Sequence, residues 1–188
     1  MKKSNIFIIS GPSGAGEDSI IEGLKKFFKI ERIVTTTTRA MRSKESQGNP
    51  YCFISRENFI ARRDSNEFVE WAEQYNGNLY GVTKKEIERV KNSGHIGTWK
   101  IEWKGVMTAK KIFPEIISIF INAPLAVLEN RIHHRDNVSE GYIKERMKYT
   151  EEWLNHKNIY DYEIINEEGK LEETIKKVAD IIKKHSPR

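Results

Sequence analysis

An α/β domain built on a parallel sheet is the architecture this sequence predicts, and three observations predict it. Short β-branched runs at residues 5–10, 96–103 and 116–122 read as buried strands. Segments with apolar residues at helical spacing lie between them, and strands alternating with helices imply a sheet covered on both faces. A length of 188 residues gives one domain with one sizeable core.

The elements follow in order. Residues 5–10 (Asn-Ile-Phe-Ile-Ile-Ser) form a first strand, ended by a Gly-Pro-Ser-Gly cluster. Ile20, Ile21, Leu24, Phe27 and Phe28 then recur at helical spacing, so the chain opens strand, Gly-rich loop, helix. Residues 32–38 are β-branched and predict a second strand, and residues 40–50 carry no periodicity and predict a loop. Ser55 precedes a short helix. Residues 68–75 and 80–82 predict strands around the turn at Asn76-Gly77-Asn78. Thr83 with Glu86 makes a capping box for a helix ending near Gly94. The strands at 96–103 and 116–122 flank a helix that stops at Pro114. Helical pattern resumes at Pro124 with Leu125, Leu128 and Ile132, breaks over residues 133–138, and continues with Ile143, Met147, Thr150 and Leu154. A last strand at 162–166 and a closing helix marked by Leu171, Ile175, Val178 and Ile182 complete the chain. The core is residues 1–34, 84–126 and 158–188. Residues 35–83 and 127–157 read as insertions upon it.

Composition bounds the function classes. Charged residues make up 31% and apolar ones 38%, against about 25% and 45–50% in typical soluble domains. No apolar stretch approaches membrane-spanning length, and Met1-Lys2-Lys3 is followed by only four apolar residues, so no secretory signal is predicted. Cys52 is the sole cysteine, which excludes an internal disulfide and a Cys-cluster metal site. A cytoplasmic location is expected. The net charge of +5 is spread along the chain without a basic block, so neither a nucleic-acid nor a membrane surface is expected. His133 and His134 are adjacent, and neighbouring side chains on a helix diverge, so they predict no metal site.

The Gly-rich loop Gly11-Pro12-Ser13-Gly14-Ala15-Gly16-Glu17-Asp18-Ser19 lies between the first strand and the first helix. There, backbone N–H groups and a helix N-terminus together cradle phosphate. The Gly11-x4-Gly16 spacing is that of a P-loop, but Glu17 and Asp18 stand where the motif carries Lys and Ser/Thr.

Further segments give the chain a family likeness. Residues 36–42 (Thr-Thr-Thr-Arg-Ala-Met-Arg), 48–55 (Gly-Asn-Pro-Tyr-Cys-Phe-Ile-Ser), 67–72 (Glu-Phe-Val-Glu-Trp-Ala) and 77–81 (Gly-Asn-Leu-Tyr-Gly) resemble, in order and spacing, the monophosphate-binding segment of the guanylate kinase family. The likeness continues through Arg131 to Arg135, Ser139 to Met147 and the strand ending at Asn166, and so covers nearly the whole chain. The resemblance implies a P-loop core with a small mixed β/α acceptor-binding insert and a helical lid. It implies transfer of the ATP γ-phosphoryl group to GMP or dGMP, with Mg²⁺ accompanying the donor.

Site roles follow from the same resemblance. Arg39 and Arg42 would hold the acceptor phosphate, a task that suits the bidentate guanidinium, and Tyr51 and Tyr80 would donate hydroxyls to it. Glu70 would accept hydrogen bonds from the guanine N1–H and amino group, Glu102 would meet the same base, and Thr35 would lie beside it. Arg135 and Arg146 resemble lid arginines that close over donor phosphates, with Arg131 a weaker candidate. The loop residues Gly11, Ser13, Gly14, Ala15, Gly16, Glu17, Asp18 and Ser19 would receive those phosphates, and Asn166 would touch the donor base.

The chain also departs from the family pattern. Lys100-Ile101-Glu102-Trp103-Lys104-Gly105 aligns with a segment of pattern Asp-x-Asp-x-Gln-Gly, so Lys100 reverses a sign opposite the altered loop. Val82 stands where a Ser or Thr is frequent. Lys100 is expected to supply the cation missing from the loop and to pair with Glu17, with Lys104 as its substitute, while Asp18 serves as a Mg²⁺ ligand. Two readings remain at this point: an active kinase with a relocated cation, or a GMP-binding or protein-interaction module without turnover.

Overall fold

The computed structural model describes residues 3–43, 45–74, 76–136 and 139–187, with the side chains of residues 135 and 136 outside the description. Five strands, β1 (Ile6–Ser10), β2 (Ile30–Arg32), β7 (Ile96–Trp99), β8 (Ile117–Asn122) and β9 (Tyr162–Ile165), form one sheet in the order β2-β7-β1-β8-β9. Every pairing in it is parallel. Each central strand is an apolar run buried on both faces, with β1 buried throughout and β8 buried up to its last residue, as a doubly covered parallel sheet requires. One core layer joins Phe7 and Ile9 to Ile20, Leu24, Ile175 and Val178 of the helices α1 (Glu17–Leu24) and α7 (Leu171–His185). The opposite layer joins Ile6, Ile8 and Trp99 to Ile87, Val90 and Val106 of α3 (Lys84–Lys91) and α4 (Trp103–Ile112).

The second sheet is mixed, in the order β4 (Tyr51–Phe53), β3 (Thr35–Thr37), β6 (Leu79–Thr83), β5 (Phe68–Glu73). Here β3 and β4 are parallel, while β3–β6 and β5–β6 are antiparallel. The helix α2 (Arg56–Asp64) closes a small separate core in which Phe59 stacks on Phe68 with ring centroids 4.4 Å apart. Ser55 caps α2 and Thr83 caps α3, each hydroxyl accepting the N–H three residues on. Two helices, α5 (Leu125–Asp136) and α6 (Glu140–Asn155), then a 3₁₀ turn over Lys157–Ile159, separate β8 from β9. Among the described residues no helix is long and apolar enough to cross a membrane.

Three boundaries differ from the sequence reading. The β-branched run at 32–38 is two strands in two sheets, because the chain leaves the parallel sheet after Arg32 and re-pairs from Thr35. The strand expected over 96–103 stops at Trp99, and Glu102 instead caps α4, which begins at Trp103. Tyr51–Phe53, too short to show alternation, is an edge strand that the pattern did not reveal.

Candidate active site

The loop between β1 and α1 lies at the carboxyl end of the parallel sheet, where the chain crosses from one side of β1 to the other and open α/β sheets bind ligands. Gly16 caps α1 in the left-handed region at φ 95°, and a Cβ there would stand 2.6 Å from the Asn166 amide nitrogen. Glycine is therefore required twice over, by backbone and by space. Asn166 Nδ2 donates to the Ala15 carbonyl at 2.8 Å, and Arg131 donates to the Gly14 carbonyl at 3.2 Å. Both expected ligand-facing groups thus brace the loop from beneath. Asn166 is 3% exposed, and its Oδ1 is buried without a hydrogen-bond partner among the described residues. Glu17 and Asp18 occupy the first turn of α1, where the helix dipole favours negative charge. Gly11, Ser13, Gly14, Glu17 and Asp18 line one end of a cleft, and Ser19 is exposed and does not line it.

Two cationic side chains from neighbouring segments meet the acidic start of α1. Lys100 Nζ lies 2.7 Å from Asp18 Oδ2, and Arg32 Nη2 lies 2.7 Å from Asp18 Oδ1. The register explains both contacts. Ile8 pairs with Trp99, so Lys100 emerges beside the end of β1, and Arg32 pairs with Thr98 on the next strand out. The direct partner of Lys100 is therefore Asp18 where Glu17 was expected. One residue further round the helix turns the Asp18 carboxylate toward the β2–β7 edge, while Glu17 acts on Lys100 through its charge. Burial opposes the Lys100 charge, but Glu17, Tyr51 and Asp18 outweigh it and raise the ammonium above its ordinary value. Burial likewise opposes the Asp18 charge, yet Lys100 and Arg32 hold its carboxyl below the usual range. Lys104 is exposed, its ammonium 5.3 Å from the Trp103 ring centroid, and it does not line the pockets at the loop.

Adjoining the loop pocket stands a cluster of arginines and tyrosines. Arg39 has its guanidinium carbon 5.3 Å from the Tyr51 ring centroid, and Tyr51 meets Tyr80 edge to face at 6.0 Å. The Tyr80 hydroxyl is hydrogen-bonded to the Thr37 side chain. An anion already sits in this cluster: Glu45 accepts from Arg39 Nη2 at 2.7 and 3.0 Å and from the Arg42 backbone N–H at 2.8 Å. Glu45, Arg32, Gln74 and Tyr149 are the site residues that sequence reasoning missed. Each is a chain-specific contact with no motif of its own, although Tyr149 lies at helical spacing from Arg146 and Trp153.

Between loop and cluster the cleft deepens around two carboxylates. Glu70 shares the buried face of β5 with Phe68 and is 6% exposed. A Cβ on Gly105 would stand 3.0 Å from Glu70 Oε2, so glycine there leaves the carboxylate its room. Burial pushes the Glu70 carboxyl up to about 8, the Val82 backbone N–H donates against that trend, and the Glu102 charge adds to it. Glu102 is raised in the same direction, chiefly by burial. Thr35 is buried and lines the same space. Arg146 of α6 faces the cleft, with its Nε donating to the Tyr142 hydroxyl at 3.0 Å. Arg135 lies in the last turn of α5, and its side chain is outside the described residues.

Known proteins resemble this chain in sequence and fold. A family model described as guanylate kinase matches residues 3–185. A guanylate kinase of Bartonella quintana is 36% identical over 169 residues, covering 89% of this chain and 76% of its own. One of Idiomarina loihiensis is 38% identical over 168 residues, covering 87% and 80%. The crystal structure of guanylate kinase from Anaplasma phagocytophilum superposes with a TM-score of 0.74 at 28% identity, covering 98% of this chain and 87% of that one. With a family model spanning almost its full length and curated relatives above one third identity, the chain belongs to the guanylate kinase family.

Proposed function

We propose that this chain transfers the γ-phosphoryl group of ATP to GMP or dGMP, giving ADP and GDP or dGDP. One observation carries the reading: two adjoining pockets that share Asp18, Tyr51, Tyr80 and Lys100 hold the glycine loop and two carboxylates in one and the Arg39–Arg42 cluster in the other. The acceptor phosphate takes the place that Glu45 holds on Arg39, with Arg42, Tyr51 and Tyr80 around it. Glu70 and Glu102 accept from the guanine N1–H and amino group, which adenine does not offer at that edge, and Thr35 lies beside the base.

The chemistry then asks for little beyond position and charge. An acceptor phosphate oxygen attacks the γ-phosphorus in line, the bond to the β-phosphate oxygen breaks, and the leaving charge remains on ADP. Loop N–H groups from Gly11 to Asp18 hold the donor phosphates. Lys100, with Arg32 beside it, supplies the positive charge that the loop lacks, and Arg146 and Arg135 close from α6 and α5. Among the described residues no group of three His, Cys, Asp or Glu could form a metal cage. Asp18 would be the protein group offered to a Mg²⁺ that accompanies the donor phosphates, its two oxygens being those paired with Lys100 and Arg32, and such an ion would neutralise donor-phosphate charge. The same reading divides the chain into core, insert 35–83 and lid 127–157 and places it in the cytoplasm with nucleotides as its partners.

The test is direct: incubate the protein with ATP and Mg²⁺ and, in turn, GMP, dGMP, AMP, CMP or UMP, and separate the products by chromatography. GDP and dGDP are the expected products. Calorimetric binding of GMP with no GDP formed would instead identify a module that binds without turnover. Equal use of AMP would overturn the assignment of the two carboxylates.

A further inference from the structure

Glu102 is held in a way that the opening motif does not explain. It is the N-cap of α4, yet its side chain makes no capping hydrogen bond. A capping carboxylate ordinarily turns back to accept from the helix it begins. This one is turned into the cleft, and two donors from distant parts of the chain fix it there. Gln74 Nε2, just past β5, donates to Oε1 at 2.7 Å, and the Tyr149 hydroxyl of α6 donates to Oε2 at 2.7 Å.

Tyr149 is itself well placed for the task. Arg146, Tyr149 and Trp153 are spaced three and four residues apart, so they share one face of α6, and all three line the cleft. Trp153 is 5% exposed and stacks with Phe120 of β8, which seats the helix against the core. Burial, then the neighbouring Glu102 charge, raises the Tyr149 hydroxyl above its ordinary value, so it stays a donor across the working pH range. A carboxylate has about four acceptor sites, so after both bonds Glu102 keeps capacity for a ligand.

We propose that Tyr149 is a positioning residue for base selection, fixing the Glu102 carboxylate toward the donor-rich edge of a 2-amino-6-oxopurine and so linking the seating of α6 to the identity of the bound base. The inference rests on the kinase reading given above. Its physical basis is rigidity. A carboxylate free to swivel can turn away from a base that offers it no hydrogen, and the mismatch is then relieved at little cost. A carboxylate pinned by Gln74 and Tyr149 cannot turn away, so a base lacking the amino group leaves an acceptor unmet. Tyr149 thus acts through Glu102 without touching the reacting atoms.

The experiment compares wild type with Tyr149→Phe, which keeps the ring and removes only the donor. Steady-state kinetics are measured with ATP and either GMP or IMP, the latter lacking the 2-amino group, and calorimetry gives the affinity for each monophosphate without turnover. The expected result is a fall in kcat/KM and affinity for GMP of about tenfold, a much smaller change for IMP, and an unaltered KM for ATP. An unchanged GMP-to-IMP preference would overturn the proposal, as would parallel losses for GMP, IMP and ATP, which mark general displacement of α6. Wild-type protein that binds GMP but makes no GDP would sink the kinase reading alone, and the affinity ratio would still decide the role of Tyr149. Wild type that fails to bind GMP would overturn both.

Discussion

Replacing Glu70 by Gln should remove most of the fall in stability that accompanies rising pH. The Glu70 carboxyl is 6% exposed, lies near the Glu102 charge, and titrates at about 8 in the folded protein against an ordinary 4.5. Between those values the folded chain keeps a proton that the unfolded chain has lost. Stability therefore falls as pH rises through that interval, with the full contribution present below about 4.5 and gone above about 8. At about 1.36 kcal/mol per pH unit, forcing the carboxyl to ionise costs roughly 5 kcal/mol. Gln keeps the shape and the hydrogen bond from Val82 but cannot ionise. Urea unfolding of the ligand-free proteins at pH 5 and pH 9 checks this. The variant should gain on wild type by roughly 3–4 kcal/mol between the two conditions, and the remaining Glu102 contribution is common to both proteins. Parallel pH profiles would refute the reasoning. The same group makes GMP binding a proton-linked event, because guanine donors favour the carboxylate. Binding near pH 7 should release a proton, seen as a calorimetric enthalpy that varies with the buffer's ionisation enthalpy.

Other consequences can be checked separately. Arg39→Lys replaces a planar fork with a point charge beside Tyr51, so the KM for GMP should rise at least about tenfold with the KM for ATP unchanged, read from initial rates. Gly16→Ala meets both a φ of 95° and the Asn166 amide, and should lower unfolding free energy by about 1–3 kcal/mol in urea while weakening ATP binding. Thr83→Ala removes the cap of α3 and no cleft-lining side chain, with an expected loss of about 1 kcal/mol in stability by urea unfolding and a much smaller change in turnover. Adding GMP and a non-hydrolysable ATP analogue together should draw α5–α6 and the mixed sheet closer. A smaller radius of gyration in X-ray scattering is expected, and identical scattering curves would count against the closure.

Much of this was legible in the chain itself because the signals are local. The strand–loop–helix opening follows from a β-branched run, a glycine cluster and a 3.6-residue period, and both helix caps at Ser55 and Thr83 follow from residue type and spacing. Glu70, Arg39, Tyr51 and Tyr80 carry family order, and the two tyrosines line both the pocket that holds Glu70 and the adjoining one that holds Arg39. What escaped depends on register and on contacts between distant segments. The Lys100 partner turned on which of two adjacent acidic residues faces the β2–β7 edge, a rotation of one helical position. The β-branched run at 32–38 carries no mark of the point where one sheet ends and another begins. The bond from the Asn166 amide nitrogen to the loop backbone at Ala15 likewise joins segments far apart in the chain. Glu45 and Tyr149 act through single side-chain contacts that no motif announces.

A phosphate loop without its lysine is expected to support phosphoryl transfer through Lys100, which follows directly on β7 and stands beside Asp18. A single-turnover rapid-quench measurement of GDP formation, with enzyme in excess and both nucleotides bound, isolates that step from binding and release. Wild type should form GDP in a burst, and Lys100→Ala should do so more slowly by on the order of 10²-fold, the scale lost with one preorganised electrostatic group. A Lys100→Ala protein that forms GDP at the wild-type rate would contradict the account.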